Sequence, residues 1–333
     1  MGVWYKPVAG RRVGMIMLAG SWYGRGSYPF CPQEPAMPSN RVAGCRASLA
    51  CCCACGCVTR QPRYPTDLTD RQWAVLEPAL PVMLCDTELG GRPERHCRRT
   101  MIDAMLYVVD NGVKWRALPA DFPPWRTVYG MHARWRKDGV LADITDLLRG
   151  RVRQAAGRHP EPSAAVMDSQ SVRESAEGVV PAATSGYDGS KMVNGRKRHL
   201  LTDTMGLLIT ATATAANVPD RIGAAVLLRR ARRRGRQRLA LAWGDRGYEG
   251  EDWTAWAQRE LGITIEVVYR DPAASATFTV LPRRWVIERT NAWISRRRRC
   301  ARDYERLPAH HEAMVYWAAI LQMTRRLAKS PTS

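Results

Sequence analysis

The chain has 333 residues, 45% of them hydrophobic, which is enough for one or two ordinary cores and excludes an intrinsically disordered protein. Lysine and arginine number 51 against 31 aspartate and glutamate residues, giving a formal net charge of +20. So large an excess indicates a polyanionic partner, nucleic acid before an anionic membrane. No apolar run approaches the length of about 18 residues that a membrane-spanning helix needs.

The first 57 residues differ from the rest of the chain in their cysteine content. They contain no histidine, and the run Cys51-Cys52-Cys53 lacks the paired spacing of a zinc site. The apolar piece Val13–Ala19 is too short for a convincing secretory signal. Neither helical periodicity nor capping signals are evident. We therefore expect residues 1–60 to be a non-native or disordered leader, with translation starting near Val58 or beyond.

Three short helices are predicted after this leader. Thr69 is placed as the N-cap of the first, and Pro78 keeps that helix short. The second runs from about Arg98 to Asn111 and stops at Gly112, and the third starts near Trp125.

The third helix is basic on more than one face. Its cations are Arg126, His132, Arg134, Arg136 and Lys137. Three short helices with a basic last member resemble a helix-turn-helix arrangement. We predict that residues 61–155 form a small all-α DNA-binding domain, with a generic helical cap as the alternative. The predicted DNA contacts are Arg126, Arg134, Arg136 and Lys137.

After a helix in 140–160 and a linker around 157–162, strands and helices alternate. The predicted strands are 164–172, 199–204, 207–215, 239–243 and 263–268. The predicted helices are 220–233, 251–261, 282–299 and 310–329. This order describes a mixed α/β sheet flanked by helices, and we assign it to a second domain over residues 160–330.

Two aspartates fall at chemically informative points of the predicted strands. Asp168 follows a buried apolar run, where a carboxylate costs several kcal/mol unless a partner such as a metal ion pairs with it. Asp245 comes just past the strand 239–243, and ligand sites in α/β sheets form at strand ends. For each aspartate taken alone, a turn-capping role is the alternative.

Glu288 lies on an amphipathic helix. Helical spacing groups Glu288 with Arg284, Asn291 and Ser295 on one face, opposite the apolar side chains. Glu288 is thus expected beside the core, with a solvated salt bridge as the alternative. Because Arg297 points to the apolar side, the helix is expected to end or turn near it.

Two basic runs are candidate phosphate ligands. The first consists of Arg196, Lys197, Arg198 and His199, and the alternative is a basic turn leading into a strand. The second is the run Arg296–Arg299, and the alternative is a solvated helix face.

Several motifs occur together in a fixed order from Tyr64 to Leu327. They are Tyr64–Pro81, Gly112–Pro119, Asp168–Val172, Gly186–Gly189, Gly195–His199, Ala216–Arg221, Gly244–Tyr248 and Trp285–Arg289. In this order they resemble a bacterial insertion-sequence transposase of the DDE type, most closely the insertion-sequence-five family. The resemblance implies a ribonuclease-H-like catalytic fold. It also implies that Asp168, Asp245 and Glu288 are catalytic and hold two Mg²⁺ ions, with Mn²⁺ as a substitute.

The chain departs in part from a Tyr-Arg-Glu-Lys signature of the wider group. Arg284 and Glu288 match its arginine and glutamate. Leu281 and Ser295 stand where tyrosine and lysine are expected, and Arg296 is one place further on. The departure affects the predicted phosphate contacts of Arg284 and Arg296 rather than the metal site. The short interval between Asp245 and Glu288 predicts a compact domain without an inserted β domain.

The resemblance implies an enzyme that binds the terminal inverted repeats of its element. It would cleave the ends by Mg²⁺-dependent phosphodiester hydrolysis and join the 3′-OH ends to target DNA. The implied partner is DNA, bound by a homodimer or larger assembly, without a membrane, in the bacterial cytoplasm at the nucleoid. Two alternatives are a nuclease that does not join ends and an inactive DNA-binding remnant or inhibitor of transposition.

Overall fold

The computed structural model describes residues 62–82, 87–88, 90, 94–176, 178–269 and 282–329, without the side chains of 282–284. These residues all belong to one unit of the chain. The expected leader, the predicted contact of Arg284 and the position of Leu281 lie outside the described residues and side chains.

Helices flank a sheet on both sides. In the described ranges they are α1 Asp70–Leu76, α2 Arg98–Asn111, α3 Trp125–Lys137, α4 Val140–Ala155, α5 Asp220–Arg233, α6 Glu251–Leu261, α7 Pro282–Ser295, α8 Arg298–Ala301 and α9 Pro308–Lys329. Local sequence sets several of these ends. Thr69 and Gln72 form a capping box at α1, and Gly112 ends α2 in the left-handed region at φ 68°. The predicted helix ends at these positions are confirmed.

The strands form one mixed sheet in the described residues. They are β1 Ala164–Arg173, β2 Gly186–Asp188, β3 Val193–Asp203, β4 Leu208–Ala215, β5 Leu241–Gly244 and β6 Thr264–Val267. The order is β2-β3-β1-β5-β6, and β4 pairs with β3 on the same side as β2. β3 runs antiparallel to β1, whereas β5 is parallel to both β1 and β6. The predicted mixed α/β fold is confirmed at this level.

Each face of the sheet carries a hydrophobic core. On one face, Leu227 of α5 and Trp253 of α6 pack with Met167 of β1. On the other face, the buried Trp317 of α9 belongs to a core that also includes α1–α4 and Leu200 of β3. The N-terminal helices therefore share a core with the sheet, and α9 lies between them. The helix-turn-helix assignment remains a prediction.

Two elements differ from their predicted bounds by more than two residues at one end. β3 begins at Val193 rather than His199, because buried partners within the protein accommodate the basic run in the strand. Arg196, for example, pairs with the buried Asp303. The short strand β2 has no counterpart among the predicted elements. α7 ends at Ser295 rather than Arg299. The backbone turns at Arg297, as expected, and this guanidinium binds Asp110 of α2.

In the described ranges, no helix is both long enough and apolar enough to cross a lipid bilayer.

Two buried histidines predict a loss of stability in mild acid. Burial, followed by the charge of His310, lowers the pKa of His132 from 6.5 to about 3. Burial also lowers the pKa of His199 from 6.5 to about 4. The unfolded chain therefore binds more protons than the folded chain below pH 6.5, so the free energy of unfolding falls as pH falls toward about 4. At pH 5 each histidine is expected to contribute a loss of about 2 kcal/mol.

Urea unfolding at pH 7.5 and pH 5 measures this effect. The side chain of His132 accepts a hydrogen bond from Trp317 at 3.2 Å, and glutamine can replace that acceptor. His132→Gln is therefore expected to remove about 2 kcal/mol of the pH-dependent loss. An unchanged pH dependence in this variant would contradict the assignment of a depressed pKa to His132.

Candidate active site

The structure brings two of the three predicted acids together, Asp168 within β1 and Asp245 just past the end of β5. Val166 of β1 stands beside Trp243 of β5, so two residues further on Asp168 lies level with Asp245. Neighbouring strands are about 4.8 Å apart. Both aspartates are half-buried and line the same narrow cleft. Ligand-binding chemistry commonly occupies such strand ends.

Asp245 is held by the turn that follows its strand. Its Oδ1 accepts a hydrogen bond from the Gly247 backbone N–H at 2.9 Å, which caps a short 3-10 turn over Arg246–Tyr248. Gly244 is required here, since a Cβ at that position would lie 2.6 Å from the Tyr248 ring. The turn-capping alternative for Asp245 is therefore present in the structure, together with its place in the cleft.

Helix α7, which carries Glu288, contacts the same site through other side chains. Ile287 lines the cleft, and the Asn291 side chain donates a hydrogen bond from Nδ2 to Asp168 Oδ2 at 2.6 Å. Asn291 follows Glu288 by three residues, so the two side chains share a helix face. Thr290 anchors the helix by donating to the Gly206 carbonyl at 2.8 Å. Glu288 itself is exposed at the surface of α7.

A further carboxylate stands near the cleft. Asp220, at the start of α5, accepts a hydrogen bond from Ser169 Oγ at 2.8 Å and pairs with Lys197 Nζ at 3.0 Å. Burial, followed by the charges of Asp168, Asp220 and Asp245, raises the pKa of Tyr248 well above its usual value. The negative charge of three aspartates thus converges around one buried ring.

The carboxylates of the cleft are ligands of the type that a hard divalent cation binds. Carboxylate oxygens are the ligands that Mg²⁺ prefers, and Asp168 and Asp245 supply them from one cleft. In the part of the chain that the structure describes, no three histidine, cysteine, aspartate or glutamate side chains are gathered closely enough to hold a metal ion as they stand. A three-carboxylate set would require the exposed Glu288 side chain to turn toward the strands.

A groove rich in cations lies beside α7. We call it the basic groove, and its basic lining residues are Arg289, Arg296, Arg297, Arg325, Arg326 and Lys329. The Arg289 guanidinium lies between Trp285 and Trp293, 4.3 and 4.6 Å from their ring centres. Burial and then Arg326 lower the pKa of Arg289, while burial and then Arg297 lower that of Arg325. Crowded like charges of this kind favour binding of a polyanion.

The first predicted phosphate cluster lies inside the protein. Arg196, Lys197, Arg198 and His199 are all buried, at 0%, 8%, 1% and 0% exposure. Arg198 donates to the Cys300 carbonyl at 3.1 Å, and His199 Nε2 hydrogen-bonds with Thr214. Side chains without solvent access cannot reach a DNA phosphate in this conformation. The burial argues against the predicted DNA contacts at these four positions. The alternative of a basic turn is also wrong, because the four residues lie within strand β3.

The other predicted contacts remain available to solvent. Arg126, Arg134 and Lys137 of α3 are exposed, and Arg136 is half-buried. Arg296 is exposed just past α7 and lines the basic groove. Their contact with DNA remains a prediction.

Several site residues had no role assigned from sequence. Helical spacing already places Asn291 on the face of Glu288, but nothing in the sequence indicates that Asn291 contacts Asp168. The place of Asp220 beside β1 needs the fold, since the Ser169 that contacts it lies 51 residues earlier. The same holds for Arg325 and Arg326, which only the packing of α9 against α7 brings to the basic groove.

Comparisons with known proteins follow the division between the helical segment and the sheet. Residues 68–145 match the family described as "Putative transposase of IS4/5 family", and residues 159–323 match the family described as "Transposase DDE domain". The chain is 33% identical over 127 residues to the "Putative transposase for insertion sequence element IS402" of Burkholderia cepacia. That alignment covers 36% of this chain and 59% of the relative, which is less than two thirds of its length. No solved structure matches.

These matches identify the class, because they cover both the helical segment and the sheet that carries the acids. The chain belongs to the insertion-sequence transposases with a DDE domain. The IS4/5 description of residues 68–145 agrees with the insertion-sequence-five resemblance, without separating that family from its neighbour.

Proposed function

We propose that this protein is a metal-dependent DNA transposase of the insertion-sequence-five type, with a ribonuclease-H-like catalytic domain. It would bind the terminal inverted repeats of its element, cleave the element ends and join the freed 3′-OH ends to target DNA. The observation that carries the proposal is the meeting of Asp168 and Asp245 in one cleft against the helix that bears Glu288.

The electrostatics of the site support a DNA substrate. The acids of the cleft are negative, whereas the neighbouring basic groove offers six cations on α7, on the segment just after it and on α9. Phosphate contacts of this kind position a duplex without reading its sequence. We further propose that the exposed cations of α3, Arg126, Arg134 and Lys137, contribute to end binding by the helical segment.

The site residues would divide the chemistry between them. Asp168, Asp245 and Glu288 are the proposed ligands of two Mg²⁺ ions, with Mn²⁺ as a substitute. When bound, two such ions supply charge stabilisation at the attacking and leaving oxygens of a phosphodiester. Asn291 orients the Asp168 carboxylate, and the basic groove holds the flanking phosphates. Pairing of two element ends would require a dimer or larger assembly.

The test uses purified protein and a duplex that carries the inverted repeats bordering the gene. With Mg²⁺ we expect a nick at the element end, followed by joining of pre-cut 3′-OH ends to a target plasmid; EDTA should abolish both. Cleavage without joining would favour the nuclease alternative. End binding without cleavage in Mg²⁺ or Mn²⁺ would favour the inactive remnant or inhibitor.

Removal of the Asn291 amide is expected to weaken metal binding at the site. Asn291→Ala deletes the donor to Asp168 Oδ2, and partners of this kind typically contribute 10- to 100-fold to metal affinity or activity. The Mg²⁺ concentration for half-maximal cleavage should rise by about 10- to 100-fold, more than maximal cleavage falls. Ala292→Ser, at the exposed neighbouring position, is the control and should leave the Mg²⁺ titration unchanged. An equal fall in cleavage at every Mg²⁺ concentration would argue against an orienting role.

A further inference from the structure

A second cavity lies away from the acidic cleft, between the N-terminal helices and the segment that follows α8. It is called the aromatic pocket here, and its volume is about 480 Å³. Ligand sites in proteins commonly measure about 300–1,000 Å³. Its aromatic lining residues are Trp115, Trp125, Tyr129 and Tyr304. No role assigned above uses any of these four residues.

Three of the rings that line the pocket contact one another. Trp115 meets Tyr129 edge to face at 5.0 Å, and Tyr129 stacks with His310 at 5.7 Å. Arg299 is 5% exposed, and its guanidinium lies 5.2 Å from the Tyr304 ring centre. Preformed rings lose little conformational freedom when a planar ligand stacks on them.

The buried arginine also neutralises the one acidic lining residue. Arg299 Nε donates to Glu305 Oε1 at 2.7 Å, and Arg299 Nη1 donates to the Val113 carbonyl at 3.0 Å. From β3, Arg196 donates to the backbone carbonyls of Glu305 and Arg306 at 2.7 and 2.8 Å. The wall over residues 304–306 is therefore anchored to the sheet.

The polar character of the pocket changes from floor to rim. Burial and then Arg136 lower the pKa of His310, so the floor is neutral at pH 7. The rim carries the exposed cations Lys114, Arg116 and Arg306. The Arg116 and Arg126 guanidinium groups lie 5.8 and 5.5 Å from the Trp125 ring centre, so two cations already contact that ring. The pocket therefore has a neutral, aromatic interior and a positively charged rim. These features are complementary to a nucleotide, which has an uncharged planar base and an anionic phosphate.

We propose that the aromatic pocket binds one unstacked nucleobase of single-stranded DNA, with the adjoining phosphates on the cations of its rim. The base would stack on Trp125 in place of the Arg116 guanidinium, which then becomes available to a phosphate. The place of the pocket suits a strand leaving the acidic cleft. Ser295 lies about 10 Å beyond Glu288 along α7, and α8 with Arg299 follows directly. The inference rests on the proposed DNA function.

The test measures coupling between Trp125 and a base, without Mg²⁺ and in EDTA so that no cleavage occurs. Two short single-stranded oligonucleotides are compared, one with 2-aminopurine at its centre and one with an abasic site there. The full-length protein should bind the 2-aminopurine strand more tightly, by roughly 5- to 150-fold, and quench its fluorescence. Trp125→Ala should remove that preference and the quenching while binding of the abasic strand changes little.

Trp256→Ala is the matched control, since Trp256 is also half-buried and carries an arginine, Arg229, at 4.7 Å over its ring. This variant should keep the preference for the base, and thermal unfolding checks that both variants are folded. Arg116→Gln, which keeps the ring, should weaken both strands alike through the rim. A Trp125→Ala variant that still prefers the base, or that weakens both strands equally, would overturn the pocket as a base site.

Failure of the pocket and failure of the proposed function have different signatures. If the protein cleaves and joins element ends but shows no base preference on single strands, only the pocket inference is refuted. If the protein shows the Trp125-dependent preference but does not cleave in Mg²⁺ or Mn²⁺, only the catalytic proposal is refuted. Absence of single-strand binding would overturn the base site and leave the pocket to another occupant, such as a protein segment.

Discussion

Asp168→Asn and Asp245→Asn are each expected to reduce Mg²⁺-dependent cleavage by at least about 10³-fold, because each removes one carboxylate from the two that share the cleft. Metal ions contribute several kcal/mol of charge stabilisation, and each 1.36 kcal/mol corresponds to tenfold in rate. Glu288→Gln should reduce cleavage by a factor of the same order if the Glu288 side chain turns toward the strands. The measurement is single-turnover cleavage of a labelled element end at saturating protein.

The amide variants are suited to this test because the fold can accept them. Asn at position 168 can still accept the Asn291 hydrogen bond, and Asn at position 245 can still cap the turn at Gly247. Duplex binding in EDTA should therefore persist. Glu260→Gln is the matched control, since it removes an exposed carboxylate of α6 that pairs with Arg259. Cleavage that survives in Asp168→Asn or Asp245→Asn would remove that carboxylate from the proposed set.

Local rules predict the elements that local interactions decide. The left-handed Gly112 ends α2 where the sequence places a helix stop, and Thr69 caps α1 through its own side chain. The run before Asp168 is buried as a strand because its residues are apolar on both faces. The same apolar runs allow Asp168 to be placed in β1 and Asp245 just past β5 from the sequence.

Long-range partners explain what the sequence could not predict. A run of three cations looks like a turn or a surface until its partners are known. The nearest chain neighbours of Arg196 give no sign of Asp303, which lies 107 residues away. The hydrogen bond from Asn291 to Asp168 joins residues 123 apart. Contacts at such separation follow from the packing of α7 and α9 on the sheet, which composition and periodicity do not specify.

The burial of Arg196 has a large expected effect on stability. Arg196 and Asp303 are both 0% exposed and form an ion pair at 3.0 Å. Burial alone raises the pKa of Asp303, but the His311 hydrogen bond and the charges of His311 and Arg196 hold it below its usual value. Asp303 is therefore ionised at neutral pH, and removing Arg196 leaves a buried charge short of one cation. Breaking one side of a buried pair typically costs about 3–5 kcal/mol.

Arg196→Ala is thus expected to lower the free energy of unfolding by about 3–5 kcal/mol in urea at pH 7.5. Arg259→Ala, at the exposed pair with Glu260, is the control and should change it by no more than about 0.5 kcal/mol. Arg196 also binds the backbone carbonyls of Glu305 and Arg306. In the variant, amide hydrogen exchange should therefore accelerate at residues 304–306 before the sheet itself opens. A loss below about 1 kcal/mol with unchanged exchange would show that the guanidinium is dispensable, and with it the anchor of the aromatic pocket wall.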